Sequence, residues 1–238
     1  MNKELRKQIL QSSFDAGACH IGSALSCVEI LLAIDGIKKQ EDIFLFSKAS
    51  GVAAYYALLA KKGHFPKEKI AHYLKNFPLA SKEISGIIHS VGSLGHGLSV
   101  SCGLALGDRT RNVYCLVSDG ELNEGSTWEA TLFAAHHKLN NLIVVVDYNK
   151  IQACGRTEDI LGLEKLSDKF SSFGWWALNV DGHDENTLKY ALGLDTIKPK
   201  AIIAHTIKGK GVDFIEDKVE WHYLNLSEEL LNKALSQL

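Results

Sequence analysis

Val113-Tyr-Cys-Leu-Val-Ser-Asp-Gly-Glu121 and Leu142-Ile-Val-Val-Val-Asp-Tyr-Asn-Lys150 each begin as an apolar run and break off into polar residues. Apolar runs of this length bounded by turn formers read as strands buried on both faces, the pattern of parallel sheets. Ser126 to Lys138, between them, has the length of a helix. Strand, helix and strand make a βαβ unit, which brings both polar tails to one edge of the sheet. Ligands of such sheets bind beyond the carboxyl ends of the strands, so the chemistry belongs near Ser118–Glu121 and Asp147–Lys150.

The same alternation extends outward. Asn2 to Ala16 carries apolar residues near helical spacing, and Ser26-Cys-Val-Glu29 reads as a capping box opening a helix at Ile30. Ile43–Phe46 is a short strand, followed by helices over Val52–Lys61 and Pro66–Lys75. Beyond the central unit come a helix near Leu163–Phe173, a strand near Trp176–Val180, a helix from Asp184, a strand at Ala201–His205 and a helix from Ser227. With no repeat, linker or low-complexity tract, the expected fold is one α/β domain over residues 1–238, a mainly parallel sheet flanked by helices.

Composition excludes more than it names. The 26 Lys+Arg against 28 Asp+Glu leave a net charge of −2, which gives no electrostatic footprint for nucleic acid. Leu142–Val146 is the longest aliphatic run, far below the ~20 residues that span a bilayer. No membrane or nucleic-acid partner is expected, and no secretory signal is visible. The five cysteines lack a Cys-x-x-Cys pair and read as reduced thiols of a cytoplasmic protein.

Asp119 and Asn149 stand at adjacent strand ends, where oxygen donors together with carbonyls and phosphate oxygens suit Mg²⁺. Gly120 allows close backbone approach to a phosphate. Taken singly, Ser-Asp-Gly and Asp-Tyr-Asn are turn sequences; their pairing across one βαβ unit points to a ligand.

Ser118-Asp-Gly-Glu-Leu-Asn-Glu-Gly-Ser-Thr-Trp-Glu-Ala130, followed by Asp147-Tyr-Asn-Lys-Ile-Gln152, resembles the thiamine-diphosphate motif of transketolases, with Asn149 30 positions after Asp119. His20–Ser26, Val91–Ser99, Val180–His183, Thr206–Val212 and Trp221-His222 agree with the same family in order along the chain. The resemblance covers the amino-terminal, diphosphate-binding part of the family and implies the first subunit of a split transketolase with the thiamine-diphosphate-binding fold. It implies thiamine diphosphate and Mg²⁺, with Ca²⁺ or Mn²⁺ as substitutes, held by Asp119, Asn149 and the Ile151 carbonyl. It further implies that Gly120 and His222 touch the diphosphate and that Gly92 and Leu94 line the aminopyrimidine side. Ser93, Glu121 and Asp147 fall in the same cofactor-binding set. The implied catalytic residues are His222, a substrate-facing His20, and Glu124, a carboxylate communicating across the dimer.

The reaction implied is transfer of a two-carbon ketol unit from a ketose or ketose phosphate to an aldose. The glutamate that activates the cofactor comes, in this family, from a pyrimidine domain. A heterotetramer of two plus two, with a separate carboxyl-terminal subunit, is therefore implied. The isolated chain is expected to bind diphosphate weakly and catalyse nothing.

The chain departs from the family in three places. Ser118 replaces a glycine, and Ser47-Lys48-Ala49-Ser50 replaces Ser-Lys-Gly-His. Leu79 or Phe77, depending on the alignment, replaces a second histidine. Losing a hydrogen bond to a ketol hydroxyl costs more than ~1 kcal/mol when a buried polar group is left unpaired. Either the donor is less hydroxylated, as in acyl transfer or decarboxylation of pyruvate, or His89 and the partner rebuild the site. A scaffold subunit without turnover is the non-enzymatic alternative.

Other features read blandly. His136-His137 reads as a surface pair, Trp175-Trp176 as alternating core and surface, and Cys19 as packing. Lys208 and Lys210 suit a phosphate contact or a solvated loop equally. The spacing in Gly92–Gly97 is not that of a dinucleotide fingerprint.

Overall fold

The computed structural model describes residues 1–238. Helices α1 (Lys3–Ala16), α2 (Ile21–Ser26) and α3 (Val28–Ile37) precede strand β1 (Ile43–Phe46). Between it and β2 (Val113–Ser118) lie α4 (Val52–Lys61), α5 (Ile70–Asn76) and α6 (His96–Gly107). Helix α7 (Gly125–His136) leads to β3 (Leu142–Tyr148), then α8 (Thr157–Leu161) and α9 (Leu166–Ser172) to β4 (Trp176–Asp181). Helix α10 (Glu185–Gly193) connects to β5 (Lys200–His205), and α11 (Glu228–Gln237) follows.

The strands form one parallel sheet in the order β1-β2-β3-β5-β4. Its pleat sends alternate residues into two cores. Leu142, Val144 and Val146 meet Ala134 of α7 and Phe170 of α9 in one, while Ile143 and Val145 join Ile9, Ile30 and Leu188 in the other. Trp175 is buried and Trp176 half-buried, as expected. His136 and His137 lie toward the surface at the end of α7, His136 half-buried and His137 exposed. No helix is long and apolar enough to cross a membrane.

In register, Ser118 pairs with Asp147 and Asp147 with Ala204. The residues just beyond, Asp119, Asn149 and Thr206, therefore stand at one edge. Asp184 and Ser227 cap α10 and α11, accepting from Asn186 N and Leu230 N. The expected capping box does not form: Ser26 ends α2, Cys27 caps α3 without a side-chain bond, and both Ser26 and Glu29 are spent on tertiary partners. The helix expected from Pro66 opens as a 3₁₀ turn at Lys67–Lys69 before α5. Helix α6 carried no sequence expectation because Gly97, Gly103 and Gly107 break its apolar stripe.

Lys200 shows how a buried cation fixes a helix end. Its ammonium donates to Leu192 O at 2.7 Å and to Leu194 O, supplying the carbonyls that α10 leaves unpaired. Burial lowers its pKa to about 8. Lys200→Met is expected to cost about 1–3 kcal/mol, because those carbonyls lose their donor; urea unfolding measures it.

Candidate cofactor site

A cavity of about 300 Å³ opens at the carboxyl edge, and His20, Gly92, Leu94, Asp119, Gly120, Asn149, Ile151 and His222 all line it. Eight positions chosen from sequence thus converge on one space. They arrive from different connections: α1–α2 supplies His20, the segment before α6 supplies Gly92, β2 leads into Asp119, and β3 leads into Asn149.

Asp119 is buried, with Oδ1 accepting from Gly120 N at 2.9 Å and Oδ2 from Thr157 Oγ1 at 3.1 Å. Burial, reinforced by the neighbouring Asp147 charge, raises its pKa to about 6. Asn149 Oδ1 accepts from Ile151 N at 3.1 Å, which fixes the turn that presents the Ile151 carbonyl. A carboxylate, an amide oxygen and a carbonyl form a donor set for a hard cation. No group of three His, Cys, Asp or Glu side chains offers a softer alternative.

Asp147 stands behind the wall, fully buried. Its Oδ2 accepts from Ser26 Oγ at 2.5 Å and pairs with Lys48 Nζ at 3.2 Å, and its Oδ1 accepts from Thr206 Oγ1. Lys48, also fully buried, donates to Ser23 O and Ser23 Oγ at 2.8 and 2.9 Å. Ser23 in turn meets Ser50 across 2.9 Å.

Lys208 settles the choice left open between phosphate contact and solvated loop: it is fully buried at the cavity. Its ammonium reaches only Ile151 O at 3.3 Å and His222 Nδ1 at 2.8 Å, with no carboxylate partner. Burial and Lys48 lower its pKa to about 8. A buried ammonium without an anion is costly unless a ligand supplies one. Beside it, a Cβ on Gly120 would meet nothing closer than Gln152 Oε1 at 3.7 Å, leaving the space above that backbone open. An acid–oxygen set for a cation and an unpaired ammonium for an anion together fit a metal–diphosphate group.

Because an ammonium can only donate, His222 accepts at Nδ1 and carries its proton on Nε2. Burial, then Lys208 and His20, push His222 down to about 3, so it stays neutral. His20 adopts the left-handed region at φ 64°, bonds His222 O through its N–H at 3.1 Å, and sets its ring edge-on to His222 at 4.9 Å. Burial, then Lys48 and Lys208, lower its pKa as well. The thiol of Cys19 lies 3.4 Å from His20 Nδ1, a polar contact that the packing reading of Cys19 missed.

Four predicted residues lie off the cavity wall. Glu121 is buried and its carboxylate is held by Ser47 Oγ, Ser118 N and Ser118 Oγ, so it braces the β1 and β2 ends. Asp147 is enclosed as described. Ser93 and Glu124 are exposed outside the cavity lining. His89 is also absent from the lining, whereas Leu79, Ala49 and Ser50 are part of it. Sequence reading missed Lys48, Ser23, Ser26, Thr157, Thr206 and Tyr223; Lys48 and Ser23 lay inside quoted motifs, but only the fold shows what they touch.

A family model described as "Transketolase, thiamine diphosphate binding domain" matches residues 39–238. One of the two chains of an apulose-4-phosphate transketolase, from Actinobacillus succinogenes, is 37% identical, over 99% of this chain and 94% of its own length. The 6-deoxy-6-sulfo-D-fructose transketolase subunit SqwG of a Clostridium species is 36% identical, over 98% and 93%. Among solved structures, transketolase from Pichia stipitis superposes with a TM-score of 0.90 at 22% identity, covering 98% of this chain and 39% of that one. This likeness shows the fold, and the chain spans well under half of that solved enzyme. The chain belongs to the transketolase family and carries that family's thiamine-diphosphate-binding domain.

Proposed function

We propose that the chain is the diphosphate-binding subunit of a split, cytoplasmic transketolase that moves a two-carbon ketol unit from a ketose to an aldose. The observation that carries the reading is the buried, unpaired Lys208 ammonium facing the same cavity as Asp119, Asn149 and the Ile151 carbonyl. In this reading Asp119, Asn149 and Ile151 O hold Mg²⁺, and Gly120, Lys208 and His222 receive the diphosphate. When bound, thiamine diphosphate supplies the electron sink for carbon–carbon cleavage. His222 keeps its proton on Nε2, and Lys48 holds Asp147 ionised behind the wall. His20 faces the substrate. Glu124, exposed beside the mouth, serves contact with a neighbouring protomer.

Relatives named as single subunits of a transketolase match this chain along nearly their whole length. That supports a separate partner bearing the pyrimidine domain, assembled two plus two. Their names carry a phosphate or a sulfonate on the sugar, so a ketose ending in an anion is the proposed donor class.

A second reading has one observation in its favour. Leu79, Ala49 and Ser50 line the cavity where the family carries imidazoles, and Ser50 is already bonded to Ser23. That wall suits a less hydroxylated transferred group. One experiment tests both readings: calorimetry for Mg²⁺-dependent thiamine diphosphate binding, then turnover with the partner on a ketose phosphate or on pyruvate. Ketol transfer is expected with the partner and none without it. Absence of Mg²⁺-dependent binding in the complex favours a scaffold, and pyruvate-only turnover favours the second reading.

A further inference from the structure

We propose that His183 is a positioning residue that sets Lys208 in the cavity, through a buried Arg6–Glu29–His183 clasp on the 206–211 segment. The inference rests on the cofactor reading above. Its geometry starts at Gly182, where a Cβ would collide with Thr206 Cγ2 at 2.3 Å and approach His205 O at 3.0 Å. Only glycine lets the turn after β4 lie against the end of β5, and that approach brings the His183 ring to Ile207. Ile207 N donates to His183 Nε2 at 2.8 Å, which makes Nε2 the acceptor and leaves the ring proton on Nδ1. Nδ1 then donates to Glu29 Oε2 at 3.3 Å. Glu29 is held in turn by Arg6, through Nη1 at 2.6 Å and Nη2 at 2.8 Å, and Arg6 Nε donates to Lys210 O at 2.8 Å.

The clasp therefore grips the backbone on both sides of Lys208, at Ile207 and at Lys210. Arg6 and Glu29 precede residue 39, where the family match begins. Lys208 has only two contacts and no acid to hold it, so the direction of its ammonium depends on the backbone that carries it. Residues that orient a ligand-binding group through an outer hydrogen bond typically alter affinity about 10- to 100-fold.

The test uses the full chain, with its partner where needed, titrated calorimetrically with Mg²⁺ and either inorganic diphosphate or thiamine diphosphate. His183→Leu is expected to weaken binding about tenfold and to speed amide exchange at Ile207. In a Lys208→Met background the same change is expected to lose most of that effect, because neighbours acting through one group are non-additive. His183→Asn keeps a donor for Glu29 while removing the acceptor for Ile207, and replaces His183→Leu if that variant does not fold. An undiminished loss in the Lys208→Met background, or unchanged affinity with Lys208 present, overturns the proposal. If the wild-type protein binds neither probe with Mg²⁺, the cofactor reading itself falls, and a Lys208→Met defect without a His183 defect overturns the clasp alone.

Discussion

Asp119→Asn is expected to abolish Mg²⁺-dependent thiamine diphosphate binding, by at least about 100-fold or ~3 kcal/mol, and at the same time to stabilise the cofactor-free chain. The two effects have one cause. Asp119 is buried beside Asp147, which carries its own cation in Lys48, so the Asp119 charge has hydrogen bonds but no counterion in contact. Its pKa stands at about 6 in the fold against 3.8 unfolded. The folded chain therefore binds more protons than the unfolded chain between these values, and stability falls as pH rises from about 4 through about 6. Asparagine removes that charge while keeping an oxygen for Gly120 N. The stabilisation is expected to reach ~1–3 kcal/mol at pH 7–8 and to vanish near pH 4. Urea unfolding at the two pH values reads it, and calorimetry reads the cofactor. A variant that loses both stability and binding would show Asp119 to be a structural bond rather than a cation ligand.

The sheet was legible because its signal is local. β2 and β3 are uninterrupted apolar runs ending in Ser-Asp-Gly and Asp-Tyr-Asn, and nothing but a parallel strand buries such a run and then exposes such an end. The cavity residues at those ends were legible for the same reason, since Asp119, Gly120, Asn149 and Ile151 sit within three positions of a strand terminus. The supports were not legible. Ser26 and Glu29 have the spacing of a capping box, yet Ser26 serves Asp147, 121 positions away, and Glu29 serves Arg6 and His183. Helix propensity is worth a few tenths of a kcal/mol at such positions, while a buried carboxylate must find donors wherever they are. Lys208 stood open between loop and site because its glycine-rich surroundings look solvated in sequence. In the fold, Gly209 tucks its N–H onto Gly22 O at 2.9 Å and carries the lysine inward. Glu121 shows the converse: a residue inside the most specific motif turns its carboxylate away from the cavity, toward Ser47 and Ser118.

Glu29→Leu is expected to be the most destabilising single change in the chain, by about 3–5 kcal/mol. It would leave the fully buried Arg6 guanidinium without its carboxylate, and the energetic penalty lies in that stranded charge more than in the lost attraction. The carboxyl pKa is held at about 2, below its 4.5 reference, by His183 and Arg6 against the opposing effect of burial. A depressed carboxylate contributes stability that is present above the unfolded value and lost as pH falls through the folded one, here between about 4.5 and 2. That window lies below the Asp119 window and has the opposite slope. The cofactor-free chain is therefore expected to be most stable near about pH 4–5 as far as these two groups decide it. The double variant Arg6→Leu/Glu29→Leu separates charge from packing. If the stranded guanidinium is the cause, the second substitution should recover more than half of the loss, although Lys210 O and Leu25 O still lose their donor. Equal or greater destabilisation in the double variant would place the cost in those carbonyls instead, and would mean that Arg6 holds the 206–211 segment by hydrogen bonding rather than by charge.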